Sequence, residues 1–333
     1  MDRVAVIGAG SWGTTVASMA AARVDTVIWA RNSELAASID ERHQNQTYLP
    51  GIELPPRLEA TNDIAVAVEG ADTVIMAVPS HGFRQVFSAV APHLAPDRPV
   101  VSLTKGIEQG TLATMTEIVG EVDPAIAPDL VGVLTGPNLA AEILAGQPTA
   151  TVVAMRDPSA AESLQKLFMG PAFRVYTNDD VVGSELGGAL KNVMAIASGM
   201  SDGLGFGDNT RATLLTRALA ELTRLGVARG GRPETFAGLA GMGDLIATCS
   251  SSRSRNHQVG YSLASGKTLE EITSEMRMVA EGVKTTKSVL GLAKRAEVDM
   301  PIAAHVDLVL DGEISPREGM LSLMTREAKP ESI

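Results

Sequence analysis

Lys191 stands in GGALKNVMAIASGMSDGL, residues 187–204, a stretch of small and apolar residues. On a helix its neighbours at three and four positions are Gly187, Gly188, Met194 and Ala195, none of which carries a carboxylate. Two readings follow. The lysine stem snorkels and its ammonium reaches solvent. Or the ammonium is desolvated, its pKa falls toward neutrality, and it moves protons. Asp244 bears on the choice. It lies in GLAGMGDLIATCSSSRSRNHQVG, residues 238–260, where glycines and apolar side chains surround it. A carboxylate in such surroundings is costly unless paired, and Lys191 is the obvious cation for it. Thr248 lies one helical turn beyond Asp244, on the same face. Ser254, Arg255 and Asn256 then offer a hydroxyl, a guanidinium and an amide at the start of a helical stretch. That set suits a phosphate, whose oxygens a guanidinium binds in pairs; the alternative is a mobile Ser/Arg loop. Cys249 reads as a packing residue, since no histidine stands at a spacing that would activate it.

A second constellation opens the chain. In VAVIGAGSWGT, Gly8, Gly10 and Gly13 fit G-x-G-x-x-G between a strand and a helix of small residues. Gly8 permits the turn, Gly10 lets a pyrophosphate approach, and Gly13 lets helix and strand close up. The anion would sit on free helix N–H groups. After the second strand, VIWARN carries Arg31 where an acid usually holds the ribose hydroxyls. A cation there favours a 2′-phosphate, hence NADP over NAD; the alternative is stacking on adenine. Lys105 in LTKGIE follows a strand and is either a cation at the ligand edge or an exposed loop lysine. In LTGPNLAAEI, Gly136 and Pro137 form a turn and Asn138 is expected to cap a helix. His81, in VPSHGF, reads as structural.

The elements that must position these groups change character along the chain. RVAVIG, DTVIWA, DTVIMAVP, RPVVSLTKG, LVGVLTGP and TATVVAM read as buried parallel strands, with FRVYTNDDVVG as a last strand and exit. Helical or turn patterns separate them, which implies a doubly wound sheet. From Val182 the strand signal stops, and helical stretches follow at 185–200, 211–228, 233–239, 254–264, 268–274, 283–295 and 302–310. The expected class is α/β: a Rossmann-type doubly wound, mostly parallel sheet in a dinucleotide-binding domain, 1–182, then an all-helical substrate domain, 183–333.

Composition limits the partners. A net charge of −11 over 333 residues argues against nucleic acid. The single cysteine excludes an internal disulfide and a thiolate metal cluster, and no metal is expected. No apolar run reaches the ~18 residues of a membrane span, and MDRVAVIGAG shows no leader pattern. The expected setting is the cytoplasm.

Taken together, VIGAGSWGT, VIWARN, VPS, TKGIE, TGP, ELGGALKNVMAIASG, GLAGMGDLIATC, SRN and VAEGVKT make the chain resemble the bacterial NAD(P)-dependent glycerol-3-phosphate dehydrogenases over essentially its whole length. The resemblance implies reversible reduction of dihydroxyacetone phosphate to sn-glycerol 3-phosphate, the backbone of glycerophospholipids. NADPH is the implied cofactor, with NADH as the alternative, and a homodimer the implied assembly. It implies Lys191 as proton donor and acceptor, with Asp244 beside it. Substrate contacts would be Lys105, Gly136, Asn138, Lys191, Asp244, Thr248, Ser254, Arg255 and Asn256. Cofactor contacts would be Gly8, Gly10, Ser11, Trp12, Gly13, Arg31, Lys105, Ala140, Arg255, Val279 and Glu281. The chain departs from the family at Asn138, where Ser or Thr is usual, and around TCSSSRSRN and NHQVG. Two other readings share the cofactor domain: a dehydrogenase of another hydroxy acid, and a non-catalytic NADP sensor. Lys191 with Asp244 speaks against the sensor, and the Ser254–Asn256 cluster against an uncharged substrate.

Overall fold

The computed structural model describes residues 1–276, 280–328 and 330–331. The chain divides into two compact units, Met1–Thr104 with Thr114–Val181, and Lys105–Ala113 with Val182–Ile333.

The first unit is built on an eight-stranded sheet: β1 (Arg3–Ile7), β2 (Asp25–Trp29), β3 (Leu58–Thr61), β4 (Thr73–Met76), β5 (Val100–Ser102), β6 (Val131–Thr135), β7 (Thr149–Ala154) and β8 (Phe173–Asn178). The strand order is β3-β2-β1-β4-β5-β6-β7-β8. Most strands are short Val- and Ile-rich runs, as strands covered on both faces must be. Val6, Ile28, Ile75, Val101, Leu134 and Val153 share one core with the flanking helices. Those helices are α1 (Ser11–Ala21), α2 (Ser33–Arg42), α3 (Ile64–Val68), α4 (Phe83–Val90), α5 (Met115–Val122), α6 (Ala140–Leu144) and α7 (Pro158–Phe168). The order reverses direction at β1 and β4, so the loops after these strands flank the switch point where such sheets bind ligands.

Two expectations need correction here. TATVVAM, read as a parallel strand, runs antiparallel to β6, while β7 and β8 pair in parallel. The link from β6 to β7 holds only the five-residue α6 and cannot make a full crossover. In addition, β3 joins the sheet edge beside β2, although LEAT is too short and polar to announce a strand.

The second unit is helical: α8 (Val181–Gly203), α9 (Asp208–Ala228), α10 (Pro233–Ala237), a π-helical turn at Leu239–Gly243, α11 (Asp244–Ser250), α12 (Arg255–Ala264), α13 (Leu269–Glu275), α14 (Glu281–Arg295), α15 (Pro301–Leu310) and α16 (Pro316–Met324). Helix α8 runs through its core, with Leu186, Leu190, Val193 and Ile196 fully buried. Its glycines let neighbours touch its backbone. A Cβ at Gly187 would lie 2.6 Å from the Ala240 carbonyl oxygen, and one at Gly199 would lie 2.0 Å from that of His257. The segment 105–113 belongs here through Ile107, which is buried in the same core.

Candidate active site

Lys191 does not snorkel. Its side chain is 7% exposed, and Nζ lies 2.8 Å from Oδ1 of Asp244, itself 2% exposed. Nζ also donates to the Thr248 hydroxyl, which donates in turn to Asp244 Oδ1 at 3.2 Å. The other carboxylate oxygen accepts from Lys105 Nζ at 2.6 Å. One buried carboxylate thus sits between two ammonium groups. Burial drives the Lys191 pKa down from 10.5 to about 8, with Lys105 adding to the fall and the Asp244 carboxylate opposing it. Cys249 lies in the same region; burial pushes its thiol up to about 12, which leaves it an unreactive packing residue.

The local fold explains how Asp244 reaches this point. Gly238–Gly243 carry the π-helical turn, packed where Gly187 leaves room beside α8. That turn delivers Asp244 as the first residue of α11, where a helix dipole favours a carboxylate. Thr248 follows at i+4 on the same helix.

A chain of amides holds the surroundings. Asn192, next to Lys191, donates from Nδ2 to the Lys105 carbonyl oxygen at 3.0 Å. Its Oδ1 accepts from Asn256 Nδ2 at 2.9 Å, and Asn256 Oδ1 accepts from the Gly282 N–H at 2.9 Å. Asn256 therefore ties α8, α12 and α14 together. Ser254 is the N-cap of α12, accepting from the His257 N–H at 3.3 Å. Arg255 begins that helix with its residue surface exposed, and Glu281 acts on it electrostatically. Val279 lies outside the described residues.

In the first unit, Gly8 adopts φ +121°, and a Cβ there would lie 2.6 Å from the Ala77 carbonyl oxygen. A Cβ at Gly13 would lie 2.0 Å from the Gly8 carbonyl oxygen, so helix and turn touch directly. Gly10 faces open space. It starts α1 with no side-chain cap and no acid in the first turn, which includes Ser11 and Trp12. Asn45 donates to the Ala9 carbonyl oxygen at 3.0 Å and to Thr14 Oγ1 at 2.8 Å, which pins the loop. Arg31 is exposed just after β2. Gly136, at φ +136°, turns the chain after β6, and Ala140 starts α6. Asn138 does not cap that helix, contrary to expectation. Leu139 holds the N-cap position, and Asn138 Nδ2 donates to Thr151 Oγ1 at 2.9 Å instead. The antiparallel β7 brings Thr151 beneath the turn.

Comparison with known proteins decides the family. The profile of the NAD-dependent glycerol-3-phosphate dehydrogenase N-terminus matches residues 3–161, and that of the C-terminus matches residues 180–321. The chain belongs to the NAD-dependent glycerol-3-phosphate dehydrogenase family. A glycerol-3-phosphate dehydrogenase [NAD(P)+] of Sphingopyxis alaskensis is 55% identical over 311 residues, 93% of this chain and 92% of its own. One from Geobacter sulfurreducens is 49% identical over 331 residues, 99% of both chains. The crystal structure of glycerol-3-phosphate dehydrogenase from Coxiella burnetii superposes with a TM-score of 0.91 at 34% identity, covering 98% of this chain and 99% of that one.

Members of this family are NAD(P)-dependent oxidoreductases, and the first unit of this dehydrogenase fits a dinucleotide. The uncapped start of α1 offers free N–H groups to a pyrophosphate, and the space at Gly10 gives access to them. The Trp12 Nε1 is buried without a partner, a donor left over for a ligand. Among the described residues no cluster suits a metal, and no helix is long and apolar enough to cross a membrane. Two positioning residues escaped the sequence reading. Asn192 could have been found as the amide beside Lys191 in an otherwise apolar helix. Asn45 shows only a turn-type bond from the Tyr48 N–H to its Oδ1 nearby; the partners that pin the loop lie more than 30 positions away.

Proposed function

We propose that this dehydrogenase interconverts dihydroxyacetone phosphate and sn-glycerol 3-phosphate, with NADPH preferred, and that Lys191 carries the proton. The observation that supports this most is the buried Lys191–Asp244 pair, with the ammonium brought to about 8. An acid of that strength exchanges protons readily near neutrality. In reduction, Lys191 gives its proton to the carbonyl oxygen as the C=O bond becomes CH–OH. In oxidation, the neutral amine takes it back. The bound nicotinamide supplies or accepts the hydride. The ammonium also stabilises the developing alkoxide. Asp244 orients it and compensates its charge, and Thr248 fixes its direction through a hydrogen bond.

Lys105 shares Asp244 and adds positive charge beside the oxygen being protonated. Arg255, at the first turn of α12 with Ser254 and Asn256, binds the substrate phosphate. Gly136 and Asn138 complete the proposed substrate set. Gly8, Gly10, Ser11, Trp12, Gly13, Arg31 and Ala140 complete the proposed cofactor set in the first unit, and Lys105, Arg255, Val279 and Glu281 in the second. We assign a cytoplasmic setting, to be checked by fractionation. We assign a homodimer, to be checked by light scattering.

The experiment is NADPH consumption on addition of dihydroxyacetone phosphate, with wild type and Lys191→Met. Methionine keeps the stem and removes the proton. Loss of a positioned proton donor should lower kcat by roughly 10²–10⁴-fold, with NADPH binding by fluorescence unchanged. A folded variant with kcat within a few-fold of wild type would assign the proton to another group.

A further inference from the structure

His257 is a buried histidine in the first turn of α12. Its Nε2 lies 2.9 Å from Oδ2 of Asp202, in the last turn of α8. The other oxygen of Asp202 accepts from Arg211 at 3.0 Å, and Arg211 also holds Asp208 at the start of α9 at 3.1 Å. The backbone N–H of His257 meanwhile bonds the cap Ser254. His257 is thus the third residue of α12, directly after the proposed phosphate-binding Ser254, Arg255 and Asn256.

We propose that His257 is a positioning residue for substrate phosphate: its bond to Asp202 sets the orientation of the turn Ser254–Asn256 relative to the helix that carries Lys191. The inference rests on the reading of that turn as the phosphate site.

The geometry separates this role from general packing. The body of α12 is already docked on α8 by backbone contact. A Cβ at Gly260 would lie 1.9 Å from the Ile196 carbonyl oxygen, and one at Gly203 would lie 2.9 Å from that of Tyr261. Those contacts, with that of Gly199 on the His257 carbonyl oxygen, fix the separation of the helices, and the side chains of the first turn of α12 set its rotation about that contact. Asn256 ties it at one side, to Asn192 and Gly282, and His257 at the other, to Asp202. Asp202 is badly placed for stability alone, since a carboxylate at a helix C-terminus opposes the dipole. It is compensated by Arg211 from α9 and by His257 from α12. The carboxylate therefore joins three helices at one point, eleven residues and about three turns beyond Lys191. A long side chain such as Arg255 magnifies any rotation of the turn that bears it, and a bidentate guanidinium is sensitive to such misalignment.

The test measures steady-state kinetics with dihydroxyacetone phosphate and with unphosphorylated dihydroxyacetone, for His257→Ala, His257→Gln and Arg255→Lys. His257→Ala should raise KM for the phosphorylated substrate about ten-fold, the usual effect of one lost buried hydrogen bond. Its kcat at saturation and its kcat/KM on dihydroxyacetone should stay within two-fold. His257→Gln keeps an N–H donor and should recover most of the loss. Equal losses on both substrates, or an unchanged KM in a folded His257→Ala protein, would overturn the inference. If Arg255→Lys also fails to discriminate the two substrates, the phosphate reading itself falls. If Arg255→Lys discriminates and His257→Ala does not, only the positioning role falls. Should His257→Ala not fold, Asp202→Asn decides, because it keeps volume and one accepting oxygen: a KM rise confined to the phosphorylated substrate supports the role, and its absence refutes it.

Discussion

A single proton on Lys191 carries a directional consequence. Its ammonium is brought from 10.5 to about 8, chiefly by burial. Reduction needs the protonated form, so kcat for ketone reduction should be level below neutrality and fall as pH rises through about 8. Oxidation needs the free amine, so its kcat should rise through the same pH and level off above it. Saturating stopped-flow or steady-state profiles in both directions check this; breaks that appear only near 10 would mean an unshifted lysine. The sign for stability follows from the same residue. Lowering a lysine pKa on folding costs stability while both states are protonated, below about 8, and the cost is relieved as pH climbs toward 10.5. Arg31 permits a second test. It is exposed after β2, so Arg31→Asp should leave the fold intact. The ratio of kcat/KM for NADPH over NADH should drop roughly ten-fold or more, the scale of one charge-assisted bond. An unchanged ratio would assign the 2′-phosphate to another group.

Helices α9 and α15 meet through a buried acid. Glu221, 2% exposed, accepts from the N–H groups of Ile302 at 2.8 Å and Ala303 at 3.4 Å, capping the first turn of α15 from outside. Burial raises its carboxyl from 4.5 to about 7, while those two N–H groups and Arg224 hold it down and Asp299 adds to the rise. Between these two values the folded state keeps a proton that the unfolded chain releases, so stability should decline as pH rises from about 4.5 to 7. Glu221→Gln should flatten that slope, removing on the order of 2–3 kcal/mol of pH dependence in urea titrations at pH 5 and 7.5. An identical slope in both proteins would place the titration elsewhere. Elements like these also show how far the sequence could be read. The strands with β-branched runs and the helices with long apolar faces were legible, as was the loop Gly8–Gly13. Helix α16 was missed although Ser315, Pro316 and Glu318 form a capping box at its start. Asp244 was legible as a carboxylate needing a cation; its second cation, Lys105, stands 139 positions away and needed the fold. Asn138 misled because an amide before a helix suggests a cap, while the helix opens one residue later, at Leu139, and Asn138 is held through its Nδ2 by Thr151 across the antiparallel pair.

Across the whole molecule, the chain passes from the sheet unit into the helical one at Lys105, returns at Thr114, and leaves again at Val182. The borrowed segment is stitched to α14: Ser288 donates to the Glu108 carbonyl oxygen at 3.4 Å, Gln109 to that of Lys284 at 3.3 Å, and Arg295 to that of Thr111 at 3.1 Å. Ile107 anchors it in the helical core. Ile107→Ala should therefore cost about 2–5 kcal/mol, yet loosen the later unit rather than the sheet that flanks it in sequence. Hydrogen exchange checks this: amides of α8 and α14 should lose protection, and those of β1 and β4 should keep it. Loss concentrated in β5 would contradict the assignment.

That shared segment also sets an order of events during synthesis. The sheet unit has all its residues once position 181 has been made, but the contacts of its excursion at 105–113 with Asn192, Asp244 and finally α14 come only later. At ~5–20 residues per second the ribosome needs roughly 6–23 s to add the 114 residues from position 181 to the end of α14. For that interval a nascent chain holds a finished sheet with an apolar loop, Ile107 and Leu112, exposed on it. Helix α14 later meets Leu112 through Gly291, where a Cβ would lie 2.9 Å from the leucine. A chaperone that covers apolar loops would act in this window, before α14 closes over Leu112.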